Sequence, residues 1–440
     1  MTDIQQAAPV NALHELLPPL TRNEASVEAN RCLMCFDAPC THACPTHIDI
    51  PKFIKKIATE NLLGSARTIL ESNLLGATCA RVCPVQELCE GACVLGAEHK
   101  PIAIGRLQRY AMDFAYGKGL SLFNPAKPSG KKVAVIGAGP AGLSCAGELS
   151  KRGHSVTIFE KRELPGGLST YGIIALREPA DIALAEAAMI EKLGVRVERG
   201  KELKNERMMA DLQSEFDAVF LAVGLGATPN LEIPGEEQIL DGLEYIEQSK
   251  LAASNLVVGR DVVVIGAGNT AIDCATVARR LGATTVTMIY RRTEHEMTAY
   301  PHEYEFIKQE GVNFLFLTQP IRVHAENGVV KSLQCVRMTL GSPDASGRPS
   351  PQPIPGSEFS IPTDQVVKAI GQVKPSLASL LKLSTEKGFI QVDKNMETSL
   401  PRIFAGGDCT RARGAASTVM AVQDGKLAAF SIHERLVAHG

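Results

Sequence analysis

No stretch of this chain holds the run of about 18 apolar residues that a membrane-spanning helix needs. Its first residues, Met1-Thr-Asp-Ile-Gln-Gln, lack the basic segment followed by an apolar one that marks a secretory leader. The expected setting is therefore the cytoplasm, with no membrane contact, and disulfides are not the expected use of the cysteines. Charge is also nearly balanced: 46 Lys and Arg against 48 Asp and Glu leave −2. That gives no electrostatic reason to invoke nucleic acid or an anionic bilayer. Paired thiols are missing from most of the chain, for beyond Cys93 the cysteines stand alone (Cys145, Cys274, Cys335, Cys409). Each reads as a small buried hydrophobe. At 440 residues, two or three domains with a sizeable core are expected.

The other eight of the twelve cysteines lie between Cys32 and Cys93. They run Cys32-x2-Cys35-x4-Cys40-x3-Cys44-Pro45 and then, after a gap, Cys79-x3-Cys83-Pro84-x4-Cys89-x3-Cys93. The Cys-x3-Cys-Pro ending, present twice, is the one seen where the last cysteine of a run crosses to a second cubane. Zinc is the rival, because His42 and His47 lie among the cysteines and Cys32-x2-Cys35 is a normal half-site. A zinc site pairs two compact half-sites, whereas here three thiols fall within nine residues with a fourth close behind. Two iron–sulfur clusters are the better reading, and the chain is expected to move electrons.

The segment carrying these cysteines reads as helical, with apolar residues at three- and four-residue spacing around Ile54, Ile57, Ile69 and Leu70. A linker is expected between Gly117 and Gly130, around Asn124-Pro125 and Lys127-Pro128-Ser129. The clearest internal repeat follows. Gly137-Ala-Gly139-Pro-Ala-Gly142 and Gly266-Ala-Gly268-Asn269-Thr270-Ala271 align without a gap, each after an apolar strand and each leading through a helix to a glycine (Gly153, Gly282) and a second strand. Two βαβ dinucleotide folds are expected. The first glycine makes the tight turn and the second admits the pyrophosphate. The third packs helix on strand, where Ala271 is an accepted variant, and the helix N-terminus offers its amides to the phosphates.

The copies differ where the ribose is read. The first ends its second strand in Glu160, about twenty residues past the fingerprint, where a carboxylate accepts from ribose hydroxyls. The second has Tyr290-Arg291-Arg292 there, suited to a 2′-phosphate or to the adenosine pyrophosphate. Leu221-Ala-Val-Gly224 and Lys368-Ala-Ile-Gly371 each look like the strand and glycine turn that close a nucleotide domain. Late in the chain, Ile403-Phe-Ala-Gly-Gly-Asp408 resembles the strand whose terminal aspartate binds FAD, with a helix expected from Ala415 to Ala429. The fold class is thus α/β: an N-terminal helical iron–sulfur domain (1–125) followed by two Rossmann-like domains. The FAD domain (126–254 and 363–440) is split by an inserted NAD(P) domain (255–362). Flavin disulfide reductases of this architecture carry a cysteine pair beside the flavin; here the only Cys-x2-Cys is Cys32/Cys35, far upstream. The clusters remain as the exit for electrons.

Taken together, the cysteine array, Leu33-Met-Cys35-Phe-Asp-Ala-Pro-Cys40, Pro45-Thr-His-Ile-Asp49-Ile, Pro101-Ile-Ala-Ile-Gly-Arg-Leu-Gln108, Gly166-Gly167-Leu168-Ser-Thr170, Tyr290-Arg-Arg292 and Gly406-Gly-Asp408 resemble the N-terminal electron-input half of dihydropyrimidine dehydrogenase, in bacteria a separate PreT-type subunit. The small subunit of glutamate synthase and ferredoxin–NADP transhydrogenase subunits share this architecture. The resemblance implies one [4Fe–4S] cluster on Cys32, Cys35, Cys40 and Cys93. It implies a second on Cys44, Cys83, Cys89 and the amide oxygen of Gln108, leaving Cys79 unligated; spacing alone would pair eight cysteines with eight irons. It also implies FAD on Gly137, Gly139, Gly142, Glu160, Gly167, Leu168 and Asp408, and NAD(P) on Gly266, Gly268, Asn269, Thr270, Arg291 and Arg292. The animal enzyme, which uses NADPH, has a further basic residue where this chain has Thr298, so NADH is preferred and NADPH stays open. No FMN-binding barrel or pyrimidine site is legible before Gly440. The expected role is to pass electrons from NADH through FAD and both clusters to an FMN-containing, PreA-like catalytic subunit that reduces uracil or thymine, in a hetero-oligomer. The alternatives are service to glutamate synthase or a ferredoxin, or a non-catalytic scaffold, against which the intact fingerprints argue. Hydride transfer needs no side-chain acid or base, so no catalytic residue is expected.

Overall fold

A computed structural model describes residues 13–119, 122–124, 126–344, 347–411 and 416–438. The helical part begins at α1 (Arg22–Asn30), whose first turn is closed reciprocally: the Thr21 hydroxyl accepts from the Glu24 N–H while the Glu24 carboxylate accepts from the Thr21 N–H. There follow α2 (Pro39–Ala43), α3 (Ile50–Ala58), α4 (Leu62–Ser72), α5 (Gly76–Val82) and α6 (Ile104–Gly117). The apolar spacing around Ile54 and Ile69 forms α3 and α4, which Asp49 and Asn61 start by accepting from the Lys52 and Gly64 N–H groups. Phe53, Ile54 and Ile69 are fully buried, each contributing roughly 1.5–3 kcal/mol.

The first parallel fold is β1 (Lys132–Ile136), α7 (Pro140–Ser150), β2 (Ser155–Phe159), α8 (Leu168–Tyr171), α9 (Ala180–Lys192), β3 (Arg196–Glu198), α10 (Glu206–Glu215) and β4 (Ala218–Leu221). The second is β5 (Leu240–Asp241), α11 (Gly242–Leu251), β6 (Asp261–Ile265), α12 (Asn269–Arg280), β7 (Thr285–Ile289), α13 (Pro301–Gln309) and β8 (Asn313–Leu315). An antiparallel group, β9 (Thr318–Glu326), β10 (Val329–Pro343), β11 (Pro349–Pro353) and β12 (Phe359–Pro362), is inserted before β13 (Gln365–Lys368) returns to the second sheet, ordered β5-β13-β6-β7-β8. The chain then re-enters the first fold through α14 (Leu377–Leu380), the hairpin of β14 (Thr385–Glu386) and β15 (Phe389–Ile390), β16 (Ile403–Ala405) and α15 (Thr418–Ala438). Strand β16 pairs with β4 at the edge of a parallel sheet ordered β16-β4-β1-β2-β3. The first fold is therefore assembled from two separated pieces of chain.

The insertion is longer than the sequence suggests. Strands β5 and β13 belong to the second sheet and α11 follows β5, although boundaries at 254 and 362 assign all three to the flavin parts. A short Val-rich strand such as β13 suits either sheet, and only its pairing with β6 decides. Two compact units result. One gathers the helical part with the β16-β4-β1-β2-β3 sheet, and the other is centred on Ala227–Val373. The expected helix after Asp408 begins at Thr418; Ala415 lies outside the described residues. Among the described residues no helix is long and apolar enough to cross a membrane.

Within the first unit the helical part is joined to the sheet layer by buried polar bonds. Glu186 of α9 accepts from the Ala77 and Thr78 N–H groups at the start of α5, and the Thr78 hydroxyl donates to Glu178. Burial pushes the Glu186 carboxyl up to about 8, hydrogen bonds from Thr78 and Ala77 notwithstanding. Helix α15 lies against α7 so closely that a Cβ on Gly425 would come within 2.1 Å of the Ala141 carbonyl oxygen.

Candidate functional site

Cys32 and Cys35, in the turn after α1, converge with Cys40 of α2 and Cys93 on one cavity. Its other walls are apolar, from Leu33, Ile50, Ile54, Leu95, Ile102 and Ile104. Burial raises the Cys32 thiol and pushes the Cys40 thiol up to about 11, neighbouring thiolates adding to the effect. Thiols so placed keep their protons at neutral pH unless a metal displaces them. Among the described residues no three His, Cys, Asp or Glu side chains meet at single-ion spacing. The donors surround a volume, which suits a cluster better than one zinc ion bound at about 2.0–2.3 Å. His42, paired with Asp37, and His47 are both exposed and line neither cavity.

A second cavity brings together Cys44, Cys83, Cys89 and Gln108, and Cys79 as well. The Gln108 amide is held from one end: its Nε2 donates to the Gly76 carbonyl at 2.7 Å, so its oxygen is the end left for a ligand. A hydrogen bond with the Cys79 thiol, then burial, raises the Cys83 thiol well above its ordinary range, and burial raises Cys89. The Cys44 sulfur lies 3.4 Å from the Thr46 hydroxyl. Val419, in the first turn of α15, closes one side and links this cavity to the helix that follows the flavin-type strand.

In the first nucleotide fold the glycine turn is shaped by contact. Gly137 has φ 103°, and a Cβ on Gly142 would sit 1.9 Å from the Gly137 carbonyl oxygen, so only glycine lets α7 start there. Glu160, at the end of β2, accepts from the Ala138 N–H at 2.7 Å and the Arg162 N–H at 2.8 Å. Each oxygen keeps a lone pair for a ribose hydroxyl. Gly167 approaches Gly139 so closely that its Cβ would lie 2.8 Å from the Gly139 Cα, and Leu168, partly exposed, opens α8. Asp408 follows β16, and burial raises its carboxyl, opposed by Arg411. Sequence reading missed Asp424 of α15, which accepts from the Gly407 N–H and pairs with Arg411. Nothing in its helical context sets it apart.

The second fold repeats the turn, with Gly266 at φ 136° and Gly268 immediately before α12. Asn269 and Thr270 form its first turn, and the Asn269 side chain accepts from the Tyr300 N–H. Thr298 lies over this turn: its N–H donates to the Ala267 carbonyl, and a Cβ on Gly268 would come within 3.1 Å of its hydroxyl. The two arginines separate. Arg291 is exposed, whereas Arg292 is 3% exposed, with Nε donating to the Pro349 carbonyl and a guanidinium pair to Asp344. Arg291→Ala is expected to raise the KM for the nicotinamide nucleotide by about tenfold without flavin loss, one charge-assisted phosphate contact being worth ~1.4 kcal/mol. Arg292→Ala is expected to lower stability by ~1–3 kcal/mol with KM little changed. Steady-state kinetics and thermal melting of both variants check the division.

The isolated cysteines are core residues. Cys145, Cys274, Cys335 and Cys409 have no solvent exposure, and burial lifts each thiol, Cys335 and Cys409 to about 12. They are unreactive thiols.

A helical segment with two thiol-lined cavities, joined to two dinucleotide folds, defines a flavin and iron–sulfur oxidoreductase that uses NAD(P)H. The chain belongs to the pyridine nucleotide-disulphide oxidoreductase family, which it matches over residues 131–425; residues 10–120 match dihydropyrimidine dehydrogenase domain II, 4Fe-4S cluster. It is 39% identical to the NADP(+)-dependent formate dehydrogenase subunit beta of Moorella thermoacetica, over 91% of this chain and 60% of that protein. It is 34% identical to the NAD-dependent dihydropyrimidine dehydrogenase subunit PreT of Escherichia coli (strain K12), over 97% of this chain and 98% of that one. The small chain of the NADPH glutamate synthase of the same strain is also 34% identical, over 95% and 93%. Among solved structures, Mycobacterium tuberculosis FprA in complex with NADPH shares the fold at TM-score 0.57 and 19% identity, covering 71% of this chain and 85% of its own. The cofactors of this class are FAD, [4Fe–4S] clusters and NAD(P)H.

Proposed function

We propose that this chain is the electron-input subunit of a dihydropyrimidine dehydrogenase. Its partner would be an FMN-containing catalytic subunit that reduces uracil or thymine. The observation that carries the reading is that one compact unit holds both thiol-lined cavities and a flavin-type glycine turn, with Val419 of α15 on the wall of the second cavity. Bound FAD supplies a hydride acceptor at N5, and the clusters supply one-electron relays. The protein's own part is positioning. The turn at Gly137, Gly139 and Gly142 receives the pyrophosphate, Glu160 and Asp408 hold the sugar portions, and apolar side chains line the cavity of the first cluster. Cys32, Cys35, Cys40 and Cys93 would bind that cluster, and Cys44, Cys83, Cys89 and Gln108 the other. The Gln108 amide, whose nitrogen donates to the Gly76 carbonyl, keeps its oxygen for an iron, which supports Gln108 as the fourth donor.

The PreT match runs nearly end to end on both chains, which supports this partner. A second reading, service to a different dehydrogenase, is favoured by the higher identity to the Moorella formate dehydrogenase subunit. Anaerobic purification is expected to yield about eight irons and one FAD per chain, from two cubanes and one flavin fingerprint. Adding a PreA-type subunit should then give NADH-dependent uracil reduction. Stoichiometric zinc in place of iron would remove the cluster assignment. Full cofactor loading, with electrons passed to a formate dehydrogenase or glutamate synthase partner but not to the pyrimidine enzyme, would move the chain to the second reading.

A further inference from the structure

Asn73 stands on the wall of the second cavity with an amide donor that nothing in the described protein satisfies. The residue is 1% exposed and ends α4, its N–H donating to the Ile69 carbonyl. Its side chain is fixed by the turn it makes: the Leu75 N–H donates to Oδ1 at 2.9 Å, which identifies the oxygen and leaves Nδ2 as the other end. That Nδ2 is buried without a hydrogen-bond partner. An unmade buried donor costs about 1–3 kcal/mol, so native proteins rarely keep one unless a bound group completes it. The same cavity is walled by Cys44, Cys83 and Cys89.

We propose that the Asn73 Nδ2–H donates to a sulfur of the second cluster, thiolate or inorganic sulfide, and holds its reduction potential above the value its ligands alone would set. The inference rests on the reading of this cavity as a cluster site. A reduced cluster carries one more negative charge than an oxidised one, so an N–H···S bond strengthens on reduction and favours the reduced form. Other polar groups lie near the Cys44 ligand. The Thr46 hydroxyl lies against the Cys44 sulfur, and Lys426 donates to the Thr46 and Ser72 carbonyls, bringing an ammonium nearby. The first cavity has apolar walls apart from its cysteines. Among the described residues lining the second cavity, Asn73 supplies a side-chain amide donor without a partner.

The test is an EPR-monitored potentiometric titration of the anaerobically purified full chain, with iron measured alongside. Asn73→Ser retains a hydroxyl able to cap the turn but is too short to reach the cavity, and Asn73→Leu removes both cap and donor. At the wild-type midpoint the ratio of reduced to oxidised second cluster is expected to fall about tenfold in both variants, a drop of ~59 mV for one electron. The affected signal should be the one that Cys89→Ser abolishes. The signal that Cys35→Ser abolishes should keep its midpoint, and iron should stay at the wild-type level. If Asn73→Leu does not fold, Asn73→Ser decides. Unchanged midpoints with full iron, or an upward shift, would overturn the role of Asn73 and reduce it to a helix cap. Wild-type protein with only one cluster would instead overturn the reading of the second cavity.

Discussion

Cys79→Ser is expected to leave both clusters and NADH-linked electron delivery intact, while Gln108→Ala loses roughly half of the iron and one of the two EPR signals. The structure brings both residues to the second cavity, so location alone does not choose between them. The reason to favour Gln108 is its orientation: its amide is anchored through nitrogen to Gly76, with its oxygen left over for an iron. Oxygen is a harder and less electron-donating ligand than thiolate, so Gln108→Cys should retain the cluster with a shifted potential and an altered EPR signature. Loss of a cluster in Cys79→Ser, with Gln108→Ala indistinguishable from wild type, would return the site to four cysteines.

Glu160→Ala is expected to weaken FAD binding by about 100-fold or more. The substitution removes a charge-assisted bond to the ribose, worth ~1.5–3 kcal/mol, and strands the Ala138 and Arg162 N–H groups at ~1–3 kcal/mol each. Only part of that cost falls on binding, since the turn is also loosened in the flavin-free protein. Flavin content after desalting and a titration of the stripped protein with FAD measure the loss, and Glu160→Gln should recover part of it. Stoichiometric flavin in Glu160→Ala would show that this carboxylate serves the turn and not the cofactor. The contrast with Arg291→Ala, which should retain flavin, assigns the two folds to different nucleotides.

Local pattern made much of this legible. The spacing of Ile54 and Ile57, closed by Asp49, encodes a helix without outside help, and the glycine turns at Gly137 and Gly266 announce themselves because no other residue fits their backbone. What escaped were features made by partners remote in sequence. The chain crosses between sheets nearer Gly226 and Val373 than the expected 254 and 362, because a Val-rich strand carries no label for the sheet it will join. Asp424, Lys426, Glu186 and Asn73 look like ordinary helix or turn residues until packing sets them against Gly407, Thr46, α5 and a cavity.

The same division holds at the sites. Sequence by itself determined the classes of chemistry, since eight closely spaced thiols and two glycine fingerprints followed by Glu160 and Arg291-Arg292 are local signatures whose spacing is the mechanism. Only the tertiary structure decided how those residues are shared out. It placed Cys93 with Cys32, Cys35 and Cys40, and Cys44 with Cys83 and Cys89, across gaps of tens of residues that spacing cannot bridge. It also gave Arg292 to Asp344 while leaving Arg291 to solvent, because only the folded surroundings set which of two adjacent basic side chains is buried.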